Sequence, residues 1–115
     1  MGRSAKTHRG VTEALMPRPV IFRGAALRDA SEAFDYYEDK RPGLGHEFLQ
    51  ELDQALARMQ RSPETPRVIR ANARRIRLDR FPYWLIYVAT PEKLRIVSVF
   101  HCSRDPSVWQ RRRLR

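Results

Sequence analysis

Two hydrophobic periods divide this chain, and their order limits the folds open to it. Between residues 25 and 61 the apolar residues recur at helical spacing; from residue 74 they alternate or run continuously. Ala26, Leu27, Ala30, Ala33, Phe34 and Tyr37 lie opposite Arg28, Glu32, Asp35 and Asp39. These i, i+3, i+4, i+7 intervals predict an amphipathic helix over 25–39. The segment Arg41-Pro42-Gly43-Leu44-Gly45 breaks it, because proline cannot continue a helix and glycine permits the turn. A second stripe, Phe48, Leu49, Leu52, Ala55, Leu56 and Met59, predicts a helix from about 46 to 61, ended by Pro63 and Pro66. Two amphipathic helices joined by so short a break fold back as an antiparallel hairpin.

The strands are read from the other period. Residues 18–24 are a short apolar run closed by Gly24, with Pro19 favouring an edge position. In 74–80, Ile76 and Leu78 fall on one side of a strand and Arg75, Arg77 and Asp79 on the other. Residues 83–90 are apolar on both sides and rich in aromatic and β-branched groups, as in a central strand. A tight turn at Thr90-Pro91-Glu92-Lys93 leads into a partner strand over 94–101. Asp105-Pro106 can open a short helical turn, with Trp109 its one large apolar group. Grouped helices and grouped strands make this an α+β chain. The expected architecture is an N-terminal strand and an antiparallel two-helix hairpin. The hairpin packs on one face of a mostly antiparallel sheet, which a C-terminal three-strand meander completes before the short helical turn. One domain spans 18–115; residues 1–17 read as a flexible basic arm, with Met16 a candidate start.

A hydrophobic content of 42% is enough for one core in 115 residues. No apolar run is long enough to span a bilayer, so no membrane role is expected. Residues 1–15 lack the apolar segment of a secretory signal, and the expected location is the cytoplasm. Cys102 is the lone cysteine, which excludes an internal disulfide and any paired-cysteine zinc site; it is read as a small core residue. His8, His46 and His101 lie on separate elements without metal-ligand spacing, so neither a metal nor a cofactor is expected.

Charge is distributed unequally. The net charge is +10, yet residues 25–63 hold five basic and eight acidic groups, whereas 64–115 hold thirteen basic and four acidic. A basic half on so small a domain points to an anionic partner. Nearly all the cations are arginines, whose planar fork suits phosphate and carboxylate. Arg74, Arg75, Arg77 and Arg80 share one strand, His101 and Arg104 end another, and Arg111, Arg112, Arg113 and Arg115 follow. If the strand ends converge, a histidine sits among arginines. Such a set can cleave RNA: arginine stabilises phosphate charge and histidine gives a proton to the leaving oxygen. No base for the 2′-hydroxyl stands out among Glu64, Asp79, Glu92 and Asp105. The alternative for His101 is a hydrogen bond to a neighbouring loop, and for Arg75 and Arg77 the wet side of an ordinary strand.

Four ordered blocks carry a resemblance: A-x-x-D-x-x-E-A-x-x-Y-Y-E from Ala26, R-P-G-L-G-x-x-F-L-x-E-L from Arg41, R-R-x-R-L-x-R-F-P-Y-W-L-I-Y from Arg74, and H-x-x-R-D-P-x-x-W-x-x-R from His101. Together they resemble the RelE/ParE superfamily of toxins from type II toxin–antitoxin systems, often called plasmid stabilisation proteins, over about residues 18–113. The resemblance implies a growth inhibitor held inactive in a hetero-oligomer with a cognate acidic protein antitoxin. The P-G-L-G turn and the R-D-P-x-x-W ending resemble the ParE branch, which implies DNA gyrase as target and no catalytic residues. The RelE branch implies a ribosome-dependent mRNA endoribonuclease, here with His101 and Arg75 or Arg74, although that branch's clustered lysines are missing. A non-toxic module binding nucleic acid or antitoxin is the third reading. Target or nucleic-acid contacts would fall to Arg74, Arg75, Arg77, Arg80, Arg104, Arg111 and Arg112.

Overall fold

The computed structural model describes residues 18–112; the arm over 1–17 with Met16, and Arg113 and Arg115, lie outside the described residues. The elements are β1 (Val20–Phe22), α1 (Gly24–Lys40), α2 (Leu44–Arg61), β2 (Val68–Arg70), β3 (Ala73–Arg77), β4 (Tyr83–Ala89), β5 (Leu94–His101) and α3 (Ser107–Gln110). They form an α+β domain whose single sheet has the order β1-β5-β4-β3-β2. β1 runs parallel to β5 at one edge and every other pairing is antiparallel. Pro19 therefore does precede an edge strand.

The hairpin covers one face of the sheet. Ala30 and Ala33 of α1, and Phe48, Leu52, Ala55 and Met59 of α2, bury themselves against Tyr83, Leu85, Tyr87, Ile96 and Val99. Its turn depends on both glycines. Gly43 adopts φ +91°, a left-handed conformation that side chains resist. A Cβ on Gly45 would stand 2.7 Å from the Phe34 carbonyl oxygen and 2.8 Å from its ring. Glu38 completes the turn by accepting the N–H groups of Gly43 at 3.0 Å and Gly45 at 2.8 Å. It thereby satisfies donors at the start of α2 that have no partner within the helix.

Four differences from the sequence reading have physical causes. The meander has four strands, not three: β2, with only three residues, lies too close to Pro66 to show a period. The strand expected to reach residue 80 stops at Arg77. There the buried Glu51 carboxylate of α2 accepts the N–H groups of Arg80 and Phe81, which pulls the chain out of the ladder. α2 begins at Leu44, before the expected His46, because the Glu38 cap lies outside the helix's own sequence. The face turned away from the hairpin is not simply wet. It carries a second apolar cluster of Ala73, Ile86, Val88, Val97, Phe100 and Trp109.

Replacing Gly45 with alanine is expected to lower stability by about 1–3 kcal/mol, because the backbone oxygen it meets cannot rotate away; a urea midpoint equal to wild type would refute this. Hydrogen bonding from the Gly43 N–H, helped by Gly45 and His46, holds the Glu38 carboxyl below its ordinary value. Glu38 is thus a stronger acid folded than unfolded. Its contribution is complete above about pH 4.5 and is lost as pH falls through the lower folded value. Glu38→Gln should accordingly lose less stability than wild type on acidification, in urea titrations run on both sides of that window.

Candidate functional site

Alternation along β4 sends successive side chains to opposite faces of the sheet. Tyr83, Leu85 and Tyr87 meet the hairpin, whereas Trp84, Ile86 and Val88 point away from it. β3 follows the same rule, since Arg77 pairs with Trp84 and Arg75 with Ile86. Arg75 and Arg77 therefore stand on the far face. α3 and its Trp109 lie along one side of that face and edge strand β2 along the other. Between them runs an open groove of about 710 Å³. Its floor is Trp84, Ile86 and Phe100, and its walls carry Arg67, Arg70 and Gln110. The Arg75 guanidinium lies 3.9 Å from the centre of the Trp84 ring, and that of Arg77 lies 5.7 Å from it. Cys102, expected in the core, is instead half-buried in the wall of this groove, because β5 has already ended at His101.

The arginines divide by location. Those facing the hairpin or the loops beside it are engaged. Arg74 donates to the carbonyls of Glu64 and Pro66 at 2.8 and 2.6 Å. Arg80 pairs with Glu47 at 2.8 Å, Arg18 with Glu64 at 3.0 Å and Arg58 with Asp79 at 3.7 Å. By contrast, Arg67, Arg70, Arg75 and Arg77 have no carboxylate partner among the described residues. Arg104 and Arg111 lie exposed on the segment after β5, each without a side-chain ion pair among the described residues.

His101 stands apart from the strand arginines Arg74, Arg75 and Arg77. It pairs with Tyr83, so its ring lies on the hairpin side, edge-on to Tyr83 at 5.0 Å. Its Nδ1 accepts the Ser103 N–H at 3.1 Å and lies 2.8 Å from Ser103 Oγ. Accepting a backbone N–H leaves the proton of the neutral ring on Nε2. Arg75 is on the opposite face. Arg74 shares the face of His101, but it pairs with Tyr87, four residues along β4 from Tyr83 and about 13 Å away at strand spacing.

Arg112 is committed elsewhere. Its Nη1 donates to Asp29 Oδ2 at 2.7 Å and to the Val97 carbonyl at 3.0 Å, and its Nη2 donates to Asp29 Oδ1 at 3.2 Å. Asp29 also accepts the Ser98 hydroxyl and the Val99 N–H at 3.1 and 3.0 Å. The pair thus closes the edge of β5 beyond the end of β1 and holds the terminal segment in place. At the start of that segment Asp105 accepts the Ser107 N–H at 3.0 Å, the cap expected for α3. Arg67 and Arg70 are not among the site residues expected from sequence. The clue was present, two more arginines in the basic half, but nothing local showed which arginines would find carboxylates.

The domain is a two-helix hairpin on one face of a five-stranded sheet, with arginines that lack carboxylate partners among the described residues on the other. It is similar to the solved structure "Chromosomal ParDE TA system from P. aeruginosa", with TM-score 0.66, 15% identity, and coverage of 73% of this chain and 95% of that one. Comparison with curated proteins gives no match. The family model for the ParE toxin of the type II toxin–antitoxin system parDE matches residues 20–106, and the chain belongs to that family. Among the described residues no helix is long and apolar enough to cross a membrane.

Breaking the partly buried Asp29–Arg112 pair should be costly. Arg112→Ala is expected to destabilise the fold by about 2–4 kcal/mol, and Arg111→Ala by under about 0.5 kcal/mol. Thermal melts of the two variants test this, and equal melting temperatures would remove Arg112 from a structural role.

Proposed function

We propose that this toxin acts by binding DNA gyrase and not by cleaving RNA, and that a cognate acidic antitoxin neutralises it in the cytoplasm. The observation that carries the choice of mechanism is the separation of His101 from Arg75 by the thickness of the sheet. Acid–base cleavage needs its donor and its phosphate-binding cation around one reacting atom. With His101 turned to Tyr83 and Ser103, and Arg74 held by two carbonyls, no such atom is within reach of both. Three of the four carboxylates of the basic half are also engaged, and Glu92 lies exposed in the turn between β4 and β5. Glu64 pairs with Arg18, Asp79 lies beside Arg58, and Asp105 caps α3. Membership of the ParE family supports the same reading. The unneutralised arginines of the far face suit an acidic antitoxin segment, whose carboxylates would supply the partners that the chain itself lacks.

Two assays test this together. Supercoiling by purified gyrase should be inhibited equally by wild type and by His101→Ala, while mRNA in a coupled translation extract stays intact. Unchanged supercoiling at a large molar excess would remove gyrase as the target. Cleavage of mRNA by wild type but not by His101→Ala would establish the ribonuclease instead.

A further inference from the structure

We infer that the groove between α1 and α2, on the exposed side of the hairpin, is a docking site for the chain's own basic arm, residues 1–17. The inference goes beyond the target named above and does not depend on it.

Three observations converge. The groove is apolar and open. Leu27, Ala30, Phe34 and Leu49 line about 440 Å³, with His46 edge-on to Phe34 at 5.1 Å. Leu27 is 59% exposed, although it belongs to the stripe that predicts α1. Apolar surface gathered in this way gains by being covered.

The second observation is charge. Residues 25–63 hold eight acidic groups. Asp29 is engaged by Arg112, Glu38 by the N–H groups of the turn, Glu47 by Arg80, and Glu51 by the β3–β4 turn. Glu32, Asp35, Asp39 and Asp53 are exposed and have no ion pair among the described residues. Asp35 adjoins Phe34, and Asp53 stands one turn from Leu49, so carboxylates border the groove on both helices. The arm carries Arg3, Lys6 and Arg9 against a single acid, Glu13, and Val11, Leu15 and Met16 lie between those cations and the domain. It supplies both an apolar cover and the missing counter-charge.

The third is the tether. Arg18, which follows the arm, is fixed at the end of α2. Its carbonyl accepts the Gln60 amide at 2.9 Å, and its guanidinium donates to the Thr90 carbonyl at 2.7 Å. From Gln60 back to Leu49 is about 16 Å of helix. Roughly five extended residues span that length. Leu15 to Val11 thus reach the groove, and Arg9, Lys6 and Arg3 pass beyond it toward Asp35 and Asp39 at the far end of α1. A tethered segment meets its site at an effective concentration on the order of millimolar, so contacts too weak to recruit a separate chain suffice. A partner that uses this face must displace the arm.

The test uses the full chain with Cys102→Ser and Thr7→Cys, so that the one thiol lies in the arm and carries a nitroxide. In NMR spectra, docking should broaden the methyl signals of Leu27 and Leu49 and leave those of Ile86 and Val97, on the other side of the sheet, sharp. Leu27→Ser should lower the ratio of docked to free arm about fivefold, because less apolar area is covered. Asp35→Lys should lower it about fivefold at low salt, and less as added salt shortens the screening length. Asp79→Lys makes the same charge change on the exposed β3–β4 turn, away from the groove, and should leave the ratio within about twofold. Circular dichroism and melting temperature confirm that each variant is folded. Leu27 and Leu49 signals as sharp as those of Ile86 would overturn the docking. Equal losses in Asp35→Lys and Asp79→Lys would reduce the effect to bulk charge and overturn the site. In a mixture of isotope-labelled chain without nitroxide and unlabelled chain bearing it, broadening at Leu27 and Leu49 would make a second copy the occupant and overturn the contact within one chain. The target is read separately by the supercoiling assay, so either proposal can fail without the other.

Discussion

The edge of β5 is the constraint on which the rest of this structure depends. β5 is eight residues long, but its parallel partner β1 covers it only from Leu94 to Ile96. Beyond Ile96 its outward backbone groups need other partners, because an unpaired buried group costs about as much as a lost hydrogen bond. Asp29 of α1 takes the Val99 N–H, and Arg112 takes the Val97 carbonyl. One ion pair therefore finishes the sheet, seats α1 against it and fixes the terminal segment. With that segment fixed, Trp109 stays buried on the far face and α3 forms one wall of the groove.

The same geometry explains how the charge is used. The acidic residues lie mostly on the hairpin, and several turn toward the sheet ends. Glu51 reaches the β3–β4 turn, Glu47 reaches Arg80 and Asp29 reaches Arg112. These contacts remove Arg80 and Arg112 from the pool available to a partner. The described strands carry no carboxylate on the far face, so Arg67, Arg70, Arg75 and Arg77 have no neutralising partner among the described residues and repel one another. Holding Arg75 on Trp84 partly offsets that repulsion and keeps the guanidinium in a fixed place. A charged surface that is already organised favours association, because ordering flexible cations on contact would subtract from affinity.

Much of the fold was legible because its signals are local. The stripes from Ala26 to Tyr37 and from Phe48 to Met59, with R-P-G-L-G between them, require a helical hairpin whatever surrounds them. The continuous run of β4 requires burial on both faces. Three features had no local signal. β2 is three residues long; the end of β3 is set by Glu51 from another element; and Cys102 follows the strand's last residue, where alternation no longer applies. The resemblance in four sequence blocks named the family correctly, since the match extends over residues 20–106.

The candidate site was less legible, and the reason is specific. A strand's sequence shows which of its own residues share a face, so Arg75 and Arg77 could be placed together from residue order alone. It does not show which residues of another strand join them, because that depends on register. The pairing of Tyr83 with His101 put the histidine on the hairpin side, and the pairing of Ile86 with Arg75 put the arginine on the other. Residue order likewise supplied the surplus of arginines without showing which would be neutralised. The sequence by itself determined the elements, their grouping and the sign of the charge, because these follow from periodicity and composition. Only the tertiary structure decided that His101 and Arg75 face apart, that Arg112 is a clamp, and that Arg67, Arg70 and Arg75 share a groove. Those facts depend on strand register and on carboxylates brought from distant parts of the chain.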